Sequence, residues 1–321
     1  MHRRIRTWLK NASMIEGGSR KRLPRCTVGK PLCCRGLFQQ SLRLGGAGVF
    51  ACLLIWGQSL PLEPSRDTGA SVTGAFEGWF KNADGTFSLL LGYYNRNRNQ
   101  EVDLPVGPNN RIEPGGPDRG QPTHFLSGRG WGLFAVKVPS DFGDNKITWT
   151  LVANGKTTVI PASLKPDYEI SPFIEAAVGN TPPVLSFDDK GPSVQGPQGL
   201  LVERTARVGV PLPLTVWVSD DAKFTSSSGA RPKTLGDPVT VKWILYRGPA
   251  GVTIAPDRPK VVKVERPDGA APFNGKATTS ATFNAPGEYV LHVTANDYSG
   301  EGGAGFQCCW TNGQVKVTVQ R

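Results

Sequence analysis

The chain has 321 residues, enough for two domains at roughly 100–200 residues each. Its 39 Gly and 27 Pro are spread along the chain, which argues against a helical bundle and suits short strands joined by turns. The formal net charge of +11 suggests a nucleic-acid ligand until it is located: residues 1–45 hold eleven Lys or Arg against one acid, Glu16, and so carry ten of those charges. The remainder is nearly neutral, so no nucleic-acid partner is expected.

Residues 1–59 read as a basic leader followed by a signal peptide. The apolar core, Leu44–Trp56, is 13 uncharged residues, the right length for a signal peptide and short for a membrane span. Gly57 and Ser59 place small residues three and one before a cut after Ser59. Uncharged sequence runs on to Leu62, so an uncleaved anchor over 44–62 is the alternative, and membrane contact is expected only through that segment. The expected location is periplasmic or extracellular.

Residues 60–73 read as a flexible leader, and residues 74–163 as a first β-sandwich. Its expected strands are Ala75–Phe80, Phe87–Tyr94, Glu101–Leu104, Trp131–Val138, Ile147–Ala153 and Thr157–Ile160. Asp84-Gly85 and Asn154-Gly155 are strong hairpin signals between such runs. Phe87, Leu89, Leu91 and Tyr93 share one face by period-two alternation, as do Ile147, Trp149 and Leu151. Between strands lies a polar insertion, residues 95–124, rich in Asn and Pro and with little strand character. Residues 164–198, with Pro182-Pro183 at the centre, read as a Pro/Gly-rich linker in which Ser171–Ala177 forms one helical turn.

Residues 199–321 alternate more cleanly. Expected strands are Leu201–Val208, Leu212–Ser219, Val239–Tyr246, Val261–Glu265, Ala277–Phe283, Glu288–Asn296 and Gln314–Val319. Seven short alternating strands predict an immunoglobulin-like sandwich. The fold class is therefore all-β: two immunoglobulin-like β-sandwich domains in tandem behind an export segment. Pro286-Gly287-Glu288-Tyr289 followed by VLHVTAND, the final GQVKVTV, Trp243 and the turn Gly248-Pro249-Ala250-Gly251 resemble the end of bacterial PKD-type and cadherin-like sandwiches. The resemblance covers about residues 239–319 and speaks to fold rather than to function.

Three sets of residues carry candidate chemistry. Cys308 and Cys309 are adjacent, and export predicts that they form a vicinal disulfide. The functional reading is a redox or ligand-contacting loop; the structural one is an inert clip. Asp220, Asp221 and Asp297 follow strand ends. Resemblance to cadherin-like domains implies a Ca²⁺ site there, whereas acids at strand ends otherwise serve as solvated turn formers. In and beside the insertion, Arg96, Arg98, Arg111, Asp118, Arg119 and His124, with Trp131, form a candidate polar and aromatic binding face suited to a glycan. The competing reading is a loop folded on its own asparagines and prolines. His292 falls on the outward face of its strand.

No Gly-x-Ser-x-Gly, His-Glu-x-x-His or phosphate-loop motif occurs, so an enzyme is not expected. The expected function is an exported non-catalytic binding or structural module, with an unknown protein or glycan at the cell surface as partner. A carbohydrate-binding protein using residues 95–124 and a hydrolase or redox protein are the alternatives. No cofactor is expected other than the Ca²⁺ of the acid set.

Overall fold

The structure, a computed structural model, describes residues 63–224, 233–265, 271–303 and 308–321. The basic leader, the signal core and the expected cleavage site lie outside the described residues. What is described is an all-β protein with no α-helix and one 3₁₀ turn, Pro166–Tyr168. No helix among the described residues is long and apolar enough to cross a membrane.

The strands are β1 (Val72–Lys81), β2 (Phe87–Asn95), β3 (Val102–Asp103), β4 (Asn110–Glu113), β5 (His124–Phe125), β6 (Gly128–Val138), β7 (Lys146–Ala153) and β8 (Lys156–Ser163), then β9 (Val184–Ser186), β10 (Ser193–Gln195), β11 (Leu201–Arg207), β12 (Leu212–Asp220), β13 (Thr240–Arg247), β14 (Val252–Ala255), β15 (Val262–Lys263), β16 (Phe273–Phe283), β17 (Gly287–Asn296) and β18 (Trp310–Gln320). Sheets β1-β2-β6 and β4-β7-β8, with the ribbon β3-β5, enclose a core centred on Trp149, Ile112, Leu89 and Phe125. A sheet ordered β10-β9-β12-β16-β14, with β15 on β16, and a sheet ordered β11-β18-β17-β13 enclose a second core around Trp243, Tyr289, Phe283 and Val317. Pairing between these strands is antiparallel apart from β11 on β18.

The turn signals act as their chemistry requires. Asn154 and Gly155 both take positive φ (51° and 71°), and Ala153 pairs with Lys156 across them. Alternation also holds where one face meets a core: Val241, Trp243 and Leu245 all enter the second core.

Three segments differ from the sequence expectation. The insertion is not strandless: Asn110–Glu113 pairs along Thr148–Leu151 as an edge strand, and Val102–Asp103 pairs with His124–Phe125. Short polar strands of this kind carry no hydrophobic period to read. The 164–198 segment supplies β9 and β10, which extend the second core's sheet through β12. Ser171–Ala177 forms turns and no helix.

The two cores are not independent. Leu201–Arg207 and the other strands of its sheet turn one face to the second core, but Tyr246 belongs to the first core, with Ile244 and Val290 packed against it. That sheet is therefore covered on both sides. Strand β2 is likewise buried on successive residues: Leu89 and Leu91 face the first core, while Leu90 packs with Phe80 and Trp310.

His292 is corrected by the same layering. It does point away from its own core, but it is 1% exposed, because the outward face is a second interior. Its ring stacks on Tyr246 at 5.4 Å, and Nε2 lies 3.2 Å from the Thr294 hydroxyl. Burial pushes the imidazole pKa down to about 4. An unfolded chain has this group near the ordinary histidine value of 6.5, so between those values the unfolded state takes up a proton that the folded state refuses. Stability is complete above the unfolded value and falls as pH drops through the window, by roughly 3 kcal/mol if this group acts alone. Urea unfolding at about pH 7.5 and about pH 4.5 should show this loss in the wild type and a smaller one in His292→Gln. Equal losses in both would remove His292 as the cause.

Candidate functional site

The candidate polar face around the insertion does not converge. Arg98 pairs with Asp67 at 3.8 Å on the exposed surface. Arg96 lies over the Tyr94 ring at 4.9 Å and donates to the Glu63 carbonyl at 3.1 Å. Arg111 is occupied by Glu113 and by the Pro108 carbonyl, and Arg119 by the carbonyls of Pro114 and Lys137. His124 is buried between Asp103 (2.7 Å from Nδ1) and Glu101 (3.1 Å from Nε2). Inside the insertion, fully buried Asn97, Asn110 and Gln121 bond the surrounding backbone: Asn110, for example, donates to the Leu104 and Pro122 carbonyls at 2.8 Å each. Such side chains substitute for missing ladder bonds, and that is how so long a loop stays folded.

The end of the insertion docks on β13. Asp118 accepts a bidentate pair from Arg247 (3.1 and 2.8 Å), which holds its carboxyl below the usual range. Tyr246 donates to the Gly120 carbonyl at 2.6 Å and accepts at its own carbonyl from Thr123 at 3.0 Å.

Trp131 stands apart from the arginines named with it. It is 41% exposed at the mouth of a cleft of about 70 Å³ formed by both halves of the protein. The Arg129 guanidinium lies 4.3 Å over its ring, and a side chain on Gly302 would come within 2.7 Å of the other atoms of the indole. Tyr93, Lys242, Asn296, Glu301 and Trp310 line the rest. Arg129 is also paired with Glu77, yet burial raises the Glu77 carboxyl above its ordinary value against the pull of that arginine. Burial works on Glu301 in the same sense, but Arg258 (2.6 Å) and Lys242 (3.4 Å) together hold its carboxyl low. Arg129, Lys242 and Glu301 were not candidates from sequence. The nearest local signal was the run Gly128-Arg-Gly-Trp-Gly132, whose glycines let the chain pass Tyr93 and Trp310 closely.

The cysteines and one of the acids, read separately from the sequence, come together at the other side of the β17–β18 connection. The sulfurs of Cys308 and Cys309 lie at bonding distance, and both residues are buried. Cys309 donates its N–H to the Ser299 hydroxyl at 3.2 Å, and Ser299 donates to Asp297 at 2.5 Å. Asp297 also accepts from the Asn180 amide at 2.5 Å. Burial, with the neighbouring Asp297 and Asp221 carboxylates adding to it, pushes the Asp220 carboxyl up to about 7. Asp221 turns aside to Thr181, accepting at 3.1 Å from both its N–H and its hydroxyl. The three acids thus do not act as one set, and no group of three or more His, Cys, Asp or Glu is arranged around a metal position among the described residues. Asn180 carries no signal in the sequence: it sits in the segment read as linker and becomes fully buried only in the fold.

No family model matches the chain, and no curated protein does. Among solved structures it is similar to domains 4 and 5 of the S-layer protein SbsC, at 12% identity over 78% of this chain and 98% of that one, with a TM-score of 0.21. It is also similar to a protein of unknown function from Porphyromonas gingivalis W83, at 8% identity over 78% of this chain and 100% of that one, again with a TM-score of 0.21. These scores are too low to bear on function.

The cleft depends on Gly132. Its φ is +43°, and a Cβ there would run into the Trp310 ring. Gly132→Ala should therefore cost about 1–3 kcal/mol in urea unfolding, the usual range for overpacking. It should also change the tryptophan emission of the folded state. A variant with wild-type stability and emission would mean that Trp310 has room to move.

Proposed function

We propose that this protein is an exported, non-catalytic binding or structural module of the cell envelope or extracellular space, and that its ligand-contacting feature is the Trp131 cleft. The supporting observation is the half-exposed Trp131, set between Arg129 and Gly302 where the two halves meet. An aromatic held rigidly at a cleft mouth is what binding sites commonly use as an anchor, because little side-chain freedom is lost on contact. The insertion, by contrast, spends its polar groups on itself, on β13 and on neighbouring segments such as Glu63, Asp67 and Lys137. The carbohydrate reading moves from residues 95–124 to the cleft, with the exposed edge of Trp131 and the polar Lys242, Asn296 and Glu301 as the contacting groups.

Two experiments test the reading. Expression of the full chain with its own leader, followed by fractionation and intact mass, should give a product beginning near Leu60 outside the cytoplasm. A full-length product in the cytoplasm would end the proposal of export. Binding of the exported product to isolated cell-envelope fractions and to a glycan array should drop about tenfold or more in Trp131→Ala, as expected for loss of an aromatic anchor. His124→Ala and Arg111→Ala should leave binding unchanged if the insertion is structural. Equal binding by wild type and Trp131→Ala would move the site elsewhere.

A further inference from the structure

Strand β11 ends its sheet, and among the described residues no strand pairs with its other side. Its pairing with β18 is parallel, so successive residues send their backbone groups to opposite sides. The Leu200 carbonyl accepts from the Gln314 N–H at 2.8 Å, and the Val208 N–H donates to the Gln320 carbonyl at 2.9 Å. Even-numbered residues therefore bond β18, and Leu201, Glu203, Thr205 and Arg207 direct their N–H and C=O groups to the open edge. The chain occupies two of these carbonyls, Glu203 by the Arg204 guanidinium at 2.9 Å and Arg207 by the Val210 N–H at 3.1 Å, and a carbonyl oxygen can accept twice. The opposite end of the same sheet is closed. There the Trp243 N–H donates to the Asp257 carbonyl at 2.8 Å, and the Thr123 N–H to the Tyr246 carbonyl at 3.0 Å. An open edge of seven residues is a template for another strand.

The side chains on that edge select the partner. Leu201, Glu203, Thr205 and Arg207 all lie on the exposed face of β11. A ladder of alternating charge crosses the sheet there: Glu288 meets Lys316 at 3.4 Å, and Lys316 meets Glu203 at 4.0 Å. The ladder stops at Glu203, on the open edge. Arg207 sits opposite the neutral Gln320 and pairs with no acid among the described residues. Two copies can join edge to edge only with the odd-numbered residues facing one another, because these alone carry outward backbone groups. Antiparallel pairing centred on Glu203 sets Glu203 against its own copy, and pairing centred on Arg204 does the same to Arg204. Like charges directly opposite are unfavourable. Pairing centred on Ala206 joins no opposite charges. Centred on Thr205, it puts Glu203 opposite the partner's Arg207, twice by symmetry, and carries the charge ladder across the junction. The same register sets Arg204 against the partner's Ala206. It also brings Leu201, 55% exposed, to the partner's Gly209, where an added Cβ would meet nothing within 4 Å.

We propose that this chain forms a two-fold symmetric dimer in which β11 pairs antiparallel with β11 of a second copy about Thr205. The partner is another copy because the edge complements itself, which is what a two-fold interface requires.

Sedimentation equilibrium of the full chain tests this, with a mass that rises from monomer towards dimer as concentration increases. Arg207→Glu and Glu203→Arg should each weaken dimerisation about tenfold or more, by setting like charges opposite one another, and leave the circular dichroism of the folded chain unchanged. An equimolar mixture of the two variants should dimerise about as tightly as the wild type, since every charge then faces its opposite. A folding defect in either variant could not produce that recovery. Thr205→Pro, which removes an N–H that β18 does not use, should also dissociate the dimer. A wild type that stays monomeric would overturn the proposal. So would a dimer that the charge reversals and Thr205→Pro leave intact, because the contact would then lie elsewhere, and so would failure of the mixture to recover.

Discussion

The second face of the β11-β18-β17-β13 sheet decides most of this structure. A sheet of an ordinary sandwich has one apolar and one wet face. Here the outer face carries Ile244, Tyr246, Val290 and His292, and the first core closes over it. The two sandwich-like halves are thus layers of one compact unit rather than beads on a linker. Arg247 with Asp118, and Tyr246 with Gly120 and Thr123, satisfy the polar groups that this layering buries.

That constraint gives the insertion its role. A thirty-residue polar loop on a free sandwich would be a natural recognition element. On this protein its end is the mortar between layers, and its middle is held by buried Asn97, Asn110 and Gln121. The same contact creates the cleft, since Trp131 from one half and Glu301, Gly302 and Trp310 from the other meet only because the halves are docked. The β17–β18 connection then borders both features of interest, with Glu301 and Trp310 toward the cleft and Asp297 and the cysteines toward the buried acids.

How far the site was legible can be followed residue by residue. Asp220, Asp297, Cys308, Cys309 and Trp131 were visible because acids at strand ends, adjacent cysteines and an aromatic beside a polar insertion are local patterns. Asn180 was invisible, since an asparagine beside Thr-Pro-Pro reads as a turn former until a strand end 117 residues away receives its amide. Arg96, Arg98, Arg111 and Arg119 were read as a group because they are close in sequence, but loops and one edge strand point each at a different backbone or acid.

By itself the sequence determined the all-β class, nearly every long strand, the hairpin at Asn154-Gly155 and the inward residues of the second core. Period-two alternation and turn chemistry are local properties, and they survive whatever surrounds the strand. Only the tertiary structure decided that His292 is buried, that Leu90 faces an interior as Leu89 does, that residues 184–195 complete a sheet, and that Asn180 joins Asp297. Each of these depends on what covers a surface that alternation marks as outward, and the covering element comes from a distant part of the chain, where no local pattern records it.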